Sequence, residues 1–82
     1  GGADVWLVRY DPRTVEVEVR KGDNRGETVT VKNAVRQLVR LGAWRGRPIS
    51  LRMPAATEEG LETLVIVQQS GGGRILGALQ KP

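Results

Sequence analysis

A run of valines that alternate with charged residues constrains the fold of this chain more than any other feature of its sequence. In segment 15–20, which reads VEVEVR, every second residue is valine and the others are charged. A period of two places successive side chains on opposite sides of an extended strand, whereas a helix would distribute them around its axis. The segment therefore predicts a β-strand with one side packed inward and the other in water.

Turn-forming residues border this strand at both ends. Upstream, the segment ADVWLVRY is rich in β-branched and aromatic residues and ends at Asp11-Pro12-Arg13, which favours a turn. Downstream, Gly22 and Gly26 precede a second alternating run, TVTVK. Both connections predict β-hairpins, and we expect the two glycines to adopt backbone conformations that a side chain would strain.

The glycine-containing stretch VRKGDNRGETV raises the question of phosphate binding. A P-loop ends in Gly-Lys-Ser/Thr and leads into a helix whose amide groups hold the phosphate. Here Gly26 is followed by Glu27 and then by a strand pattern, so a carboxylate occupies the place of the required lysine. The glycines at 71–73 and at 77 also lack the G-x-G-x-x-G spacing of dinucleotide-binding turns. We therefore expect turns at both places and no cofactor.

Residues 33–41 fit two interpretations. As a helix, the segment would begin with Asn33 as its cap and end at Gly42 in the left-handed conformation. As a strand, it would present Arg36 and Arg40 on one side and valines on the other. Periodicity slightly favours the helix, and the residues alone leave both interpretations open.

Three further strand patterns follow, at 48–53, around the apolar run 64–67, and at 74–79. Together with the hairpins they give six or seven short strands at spacings of roughly 8 to 12 residues, which is typical of an antiparallel sandwich or small barrel. The predicted fold is an all-β, immunoglobulin-like antiparallel β-sandwich in a single domain over 1–82. One short helix at 33–41 is the only other element allowed.

The composition argues against catalysis. The 82 residues include no cysteine and no histidine, so the chain lacks a thiolate nucleophile and the commonest general base and metal ligand. Glu16 and Glu18 lie on one side of the same predicted strand, about 6.6–6.8 Å apart, but that side is the solvated one. We expect no enzymatic activity and no catalytic, cofactor-binding or metal-binding residues.

Basic residues outnumber acidic ones by 13 to 9, and the segment Thr28–Thr57 contains no acidic residue. Within it, Arg36 and Arg40 are the candidates for contacting the acidic surface of a protein partner. No apolar run approaches the ~20 residues of a membrane-spanning helix, and the start of the chain lacks a signal-peptide pattern.

An alternative is a small basic β-barrel that binds single-stranded nucleic acid, because basic grooves with stacking aromatic residues hold single strands. The aromatic residues available for this are Trp6, Tyr10 and Trp44. This alternative is less favoured, since the three are scattered over distant segments and tryptophan is more typical of core packing. We expect Trp44 to cover one end of the core, and Gly42 beside it to serve a backbone conformation that a side chain would strain.

Several motifs in order resemble a known family. They are DVWLVRYDPRTVEVEV, GDNRG, NAVRQLVRLGAWRG, VIVQ and ILGA. In this order they are similar to the C-terminal part of the bacterial secreted thioredoxin-like domain-of-unknown-function family numbered twelve twenty-three. The matching positions are Tyr10, Asp11, Gly22, Asn24, Gly26, Asn33, Val35, Arg36, Gly42, Trp44, Gly46, Gln68, Gly77 and Ala78. The family usually has a histidine two residues before Asn33, where this chain has Val31.

The resemblance implies that the chain is the β-rich part of a longer protein, secreted or exported to the periplasm, whose thioredoxin-like part lies upstream. It also implies that residues 33–41 are extended. The expected function is that of a non-catalytic accessory module that packs against the thioredoxin-like domain or another protein, with membership of a larger complex left open. The family has no established activity, so the resemblance implies no reaction.

Overall fold

The computed structural model describes residues 2–23 and 25–81. The strands within them form one antiparallel β-sheet. Its strands are β1 (Ala3–Glu18), β2 (Thr28–Trp44), β3 (Glu62–Gln69) and β4 (Ile75–Lys81). The strand order is β2-β1-β3-β4, so β2 and β4 form the two edges. The prediction of an all-β, antiparallel fold is confirmed.

The alternating valine segment and its glycine turn belong to the hairpin of β1 and β2, as predicted. Val17 pairs with Val29 near the turn. Because β3 pairs with β1 only over residues 3–10, the far ends of β1 and β2 extend beyond the rest of the sheet. We call this two-stranded extension, residues 14–18 and 28–32, the ribbon.

A β-bulge in β1 occupies the position of the first predicted hairpin turn. The register between β1 and β2 shifts between Asp11 and Thr14. Pro12 and Arg13 there face one residue of β2, Asn33, whose φ is 58°. The predicted hairpin is wrong because β2 continues alongside β1 through this point, and the local kink is absorbed by one extra residue in the ladder.

Residues 33–41 are extended and lie inside β2, so the strand interpretation is confirmed and the helix is wrong. Their backbone pairs with β1, for example at Trp6–Arg40 and Tyr10–Val35. A neighbouring strand supplies hydrogen-bond partners along this segment, and that non-local pairing outweighs a local periodicity that favours a helix only slightly.

Four strands in one open sheet replace the six or seven strands of the predicted sandwich. Two pairs of predicted strands merge into β1 and β2, which have 16 and 17 residues. The predicted strand at 48–53 forms no ladder and is irregular. No second sheet exists within residues 2–23 and 25–81.

Residues 45–61 carry the chain from β2, on one flank of β1, to β3 on the other flank, and we call them the crossover. The crossover lies over the side of the sheet on which β1 places Val5, Leu7 and Arg9, and we call this side the covered face. Leu7, at the centre, is 0% exposed and Val5 is 5% exposed. The crossover therefore supplies the second layer that buries this core.

The hairpin of β3 and β4 agrees with the prediction of strands around 64–67 and 74–79. Its connection uses Gly71 and Gly72 at φ values of 79° and 77°, and the amide of Gln69 donates to the carbonyl of Arg74 at 2.9 Å. In the part of the chain that the structure describes, no helix has the length and apolarity needed to span a membrane.

Candidate functional site

The second side of the sheet is apolar and has no layer over it. Residues directly opposite each other in an antiparallel ladder share a side, so the registers define its members. Tyr10 and Val35 are opposite each other at one end, and Ile66 faces Ala78 between β3 and β4. We call this side the open face. Its apolar centre is formed by Trp6, Val8, Val35, Leu38, Leu64, Ile66 and Ile75.

Large side chains of the open face are exposed to solvent. Leu38 is 62% exposed, Val35 60% and Ile75 59%. A shallow groove crosses all four strands and is lined by Trp6, Val8, Leu38, Ile66, Gln68 and Ile75. Isolated exposed apolar residues are ordinary on protein surfaces, whereas a large contiguous patch of them is uncommon on a monomeric protein.

Charged groups border the apolar centre of the open face, and one of them, Arg40, lies opposite Trp6 on the edge strand β2. Arg40 donates to the carboxylate of Asp4 through Nε at 3.0 Å and Nη2 at 2.8 Å. Glu62 lies opposite Tyr10 at the far end of the β1–β3 ladder. The centre between them contains no charged residue, so this surface suits an apolar partner better than a charged one.

Trp6 fills the middle of the open face with its indole ring. Its Nε1 atom is buried and donates no hydrogen bond within the described residues. A buried indole N–H without an acceptor costs roughly 1–3 kcal/mol of folding stability. Unsatisfied buried polar groups are rare in native proteins, and a strained or functional site is one explanation for them.

The two arginines predicted to contact a partner both have carboxylate neighbours within the chain. Arg36 Nε lies 3.5 Å from Glu58 Oε1 of the crossover, and Arg40 pairs with Asp4. The expected side-by-side arrangement does not occur, because the register between β1 and β2 shifts between Arg9 and Tyr10. Arg36 falls in that irregularity, and the structure does not bring it together with Arg40.

Gly22 and Gly26 lie in the β1–β2 turn at φ values of 87° and 91°. The turn uses its own amides: Gly26 N–H donates to Val19 O at 2.8 Å, and Arg25 N–H donates to Gly22 O at 3.2 Å. Positive φ values strain residues that carry a Cβ. The prediction for Asn24, in the same turn, lies outside the described residues.

Gly42 differs from the turn glycines because it lies inside β2 and is not among the residues with positive φ. A Cβ placed on it would lie 3.0 Å from Leu51 Cδ2 of the crossover. A side chain here would be crowded by the close approach of the crossover, and the left-handed helix end of the helical interpretation does not occur.

Trp44 lies on the covered face, in line with Ala3, where it borders a pocket lined by Val5, Ile49, Leu51 and Val67. Its Nε1 donates to the carbonyl of Arg47 at 2.9 Å. Trp44 is 37% exposed, so it closes the end of the core while keeping one edge in solvent.

The sequence did not predict that two polar residues of the covered face are buried. Arg9 is only 8% exposed and donates to Pro54 O at 2.7 Å, to Gln37 Oε1 at 3.2 Å and to Thr63 Oγ1 at 3.3 Å. It thus ties the crossover to β2 and β3. The signal was available, because Arg9 continues the odd-numbered series that contains Val5 and Leu7.

Asp11 is the second of these residues and is 3% exposed. Both carboxylate oxygens accept hydrogen bonds from the Arg13 side chain, at 2.7 and 2.9 Å, and Oδ1 also accepts from the Arg13 amide at 3.0 Å. The side-chain bonds, followed by the backbone bond, lower the pKa of Asp11 below its usual 3.8. The arrangement holds the β1 bulge in place.

The carboxylate pair considered in the sequence lies away from both faces described above. Glu16 and Glu18 both lie exposed on the ribbon. Among the residues that the structure describes, no group of three or more His, Cys, Asp or Glu side chains could hold a metal ion. The chemistry that the geometry offers is apolar contact on the open face.

Comparisons with known proteins give one family. No curated protein and no solved structure matches this chain. The family described as "Protein of unknown function (DUF1223)" matches residues 1–68, which contain β1, β2, the crossover and most of β3. Because that match covers 68 of the 82 residues, the chain belongs to this family of proteins of unknown function.

Proposed function

We propose that this chain is a non-catalytic accessory module that packs its open face against an apolar surface of a partner domain or protein. The single observation that carries the proposal is the contiguous, uncharged centre of the open face, whose residues Val35, Leu38 and Ile75 are each about 60% exposed. Burying apolar surface stabilises by about 25 cal/mol per Å², so a second layer on this side would add stability that the sheet lacks.

The proposed partner is the thioredoxin-like part of a longer exported protein, and this rests on the family resemblance of the sequence motifs. The crossover covers one side of the sheet, and a layer of helices or strands from the partner would cover the open face as well. Export to the periplasm, or secretion, is part of the same proposal.

The experiment compares the isolated 82-residue chain with the protein isolated from its native source. The chain has no cysteine, so Leu38→Cys places one thiol on the open face, and Val29→Cys places a matched thiol on the ribbon. We expect slow alkylation of Cys at position 38 in the native protein and rapid alkylation in the isolated chain. The ribbon thiol should react rapidly in both.

Equal alkylation of both thiols in the native protein would contradict the proposal, because the open face would then be uncovered in its natural setting. The intact mass of the native protein identifies the partner's origin. A mass well above 8.9 kDa with a thioredoxin-like sequence upstream supports a partner in the same polypeptide, and a mass near that value points to a separate protein.

Binding of single-stranded nucleic acid has less support. The open sheet does not close into a barrel, Trp44 lies on the opposite side from Trp6 and Tyr10, and Arg36 and Arg40 have carboxylate neighbours. A titration with labelled oligonucleotide at two salt concentrations tests this. We expect no binding at low salt, and micromolar affinity that falls as salt rises would favour the nucleic-acid function instead.

A further inference from the structure

The two edges of the sheet differ in how they are protected against pairing with another strand. Edge strands are commonly blocked by bulges, by charged side chains and by irregular backbone. The β2 edge has all three: its register with β1 shifts at three places, Asn33 has a φ of 58°, and Lys32, Arg36 and Arg40 lie along it. These features make β2 a poor template for a new strand.

The β4 edge lacks most of this protection. Its sequence, ILGALQK, contains no proline and one charge, at Lys81. From Gly77 to Lys81 its ladder with β3 is regular, so the backbone groups on its outer side form a straight row. Within residues 2–23 and 25–81, no strand pairs with that outer side.

The side chains of β4 are apolar on both sides of the sheet. Leu79 lies opposite Val65, on the covered-face side, and Ile75 lies opposite Gln68, on the open-face side. They are 69% and 59% exposed. Apolar residues on both sides are typical of a strand in the interior of a sheet, yet every residue of β4 is exposed.

We propose that β4 pairs with β4 of a second copy of this chain, antiparallel, to form a continuous eight-stranded sheet. A twofold axis perpendicular to the sheet requires one residue to face its own counterpart. Centring the axis on Leu79 confines the pairing to the regular segment 77–81. Gly77 then faces Lys81 of the second copy, and Ala78 faces Gln80.

This register has favourable chemistry. The two Leu79 side chains lie directly opposite each other, and such apolar cross-strand pairs stabilise a sheet. The strand's one charge faces a glycine, so no like charges are opposed. An interface that uses the same strand twice closes at two chains, and the protected β2 edge at the far end prevents extension into a longer array.

The pairing is independent of the proposed function, because it uses the edge of the sheet and a side chain on the covered-face side, and leaves the open face free. Either proposal can therefore fail alone.

The first test is the sedimentation equilibrium of the 82-residue chain. We expect a mass of twice 8.9 kDa. Leu79→Lys places two ammonium groups opposite each other at the axis and should yield monomers. The matched control is Leu38→Lys, at a leucine on the open face that is 62% exposed, against 69% for Leu79, and it should leave the dimer intact. A monomeric wild-type chain, or dissociation by both substitutions, would overturn the proposal.

The second test uses the absence of native cysteine. Directly opposed residues in an antiparallel pair have Cα atoms about 4.5–5.5 Å apart, within the roughly 4.4–6.8 Å that a disulfide spans. Leu79→Cys should therefore form a covalent dimer under mild oxidation, and the Leu38→Cys control should remain monomeric on denaturing gels. Equal cross-linking of the two variants would refute the Leu79 register.

Discussion

The two sides of this sheet are both apolar, but only one of them is complete. On the covered face, the crossover lies over Val5 and Leu7, and the buried Arg9 has an acceptor on each neighbouring segment. On the open face, Leu38 is 62% exposed and the buried Trp6 Nε1 has no acceptor within the described residues. The covered face therefore contributes most of the buried core of this chain, whereas the apolar side chains of the open face remain exposed to solvent.

The largest expected difference in unfolding free energy is between substitutions of two arginines, one on each side of the sheet. Arg9→Ala should destabilise the chain by about 3 kcal/mol, because it removes a buried donor that three groups share. Arg40→Ala on the open face should cost at most about 1 kcal/mol, since its pair with Asp4 is largely solvated. Urea unfolding at one protein concentration measures both values. Equal costs would contradict the assignment of the stabilising contacts to the covered face.

A smaller effect is expected where the crossover touches β2. Gly42→Ala should cost about 1–2 kcal/mol, because its Cβ would lie 3.0 Å from Leu51 Cδ2. The cost should shrink in a Leu51→Ala background, which a double-mutant cycle measures. Gly77→Ala is the matched control, since nothing lies within 4 Å of its Cβ. A cost at Gly42 that Leu51→Ala leaves unchanged would exclude the steric explanation.

The two tryptophans lie on opposite sides of the sheet and differ in the hydrogen bonding of their indole N–H groups. Trp6→Phe and Trp44→Phe remove similar apolar area, but only Trp44 loses a hydrogen bond, to Arg47 O. We expect Trp44→Phe to cost about 1 kcal/mol more than Trp6→Phe, measured by thermal unfolding of the two variants in parallel. A larger cost for Trp6→Phe than for Trp44→Phe would contradict this, because it would mean that the Trp6 indole N–H has an acceptor in solution.

The smallest effect appears only in acid. Hydrogen bonds from Arg13 lower the pKa of Asp11 below its usual 3.8. The stability that this carboxylate contributes is therefore fully present above pH 3.8 and is lost as the pH falls through the folded-state pKa. Thermal unfolding should show the difference between wild type and Asp11→Asn shrinking in this range. Arg13→Ala should flatten the same dependence, and an unchanged pH profile in that variant would contradict the assignment.

The sequence predicts most of the local features of this fold, and the exception is Asp11-Pro12-Arg13, where a bulge replaces the expected turn. The alternating valines, the turn at Gly22 and Gly26, and the glycine-rich connection to the last strand are each decided by neighbours within a few residues. The segments 33–41 and 48–53 depend instead on whether a distant strand pairs with them. Residues 33–41 have such a partner in β1, whereas 48–53 lie over a sheet face and have none.

The candidate site was harder to predict because it depends on which side of the sheet the crossover takes. Trp6 and Leu38 are residue types that usually pack in a core, and nothing near them in the sequence indicates that no layer lies over them. Arg36 was expected to point with Arg40, but a register shift in the ladder separates them. Such irregularities are set by the fit between two strands, which one strand's sequence does not contain.

The strand order also has a consequence for the folding reaction. Each hairpin, β1–β2 and β3–β4, joins neighbouring segments, but β1 meets β3 only after the crossover has bridged them. Contacts between residues distant in sequence slow folding, because loop-closure entropy is lost before they form. We therefore expect the docking of two preformed hairpins to limit the folding rate. Shortening the crossover would then change the rate at which the two hairpins dock, and would leave the order in which the hairpins form unchanged.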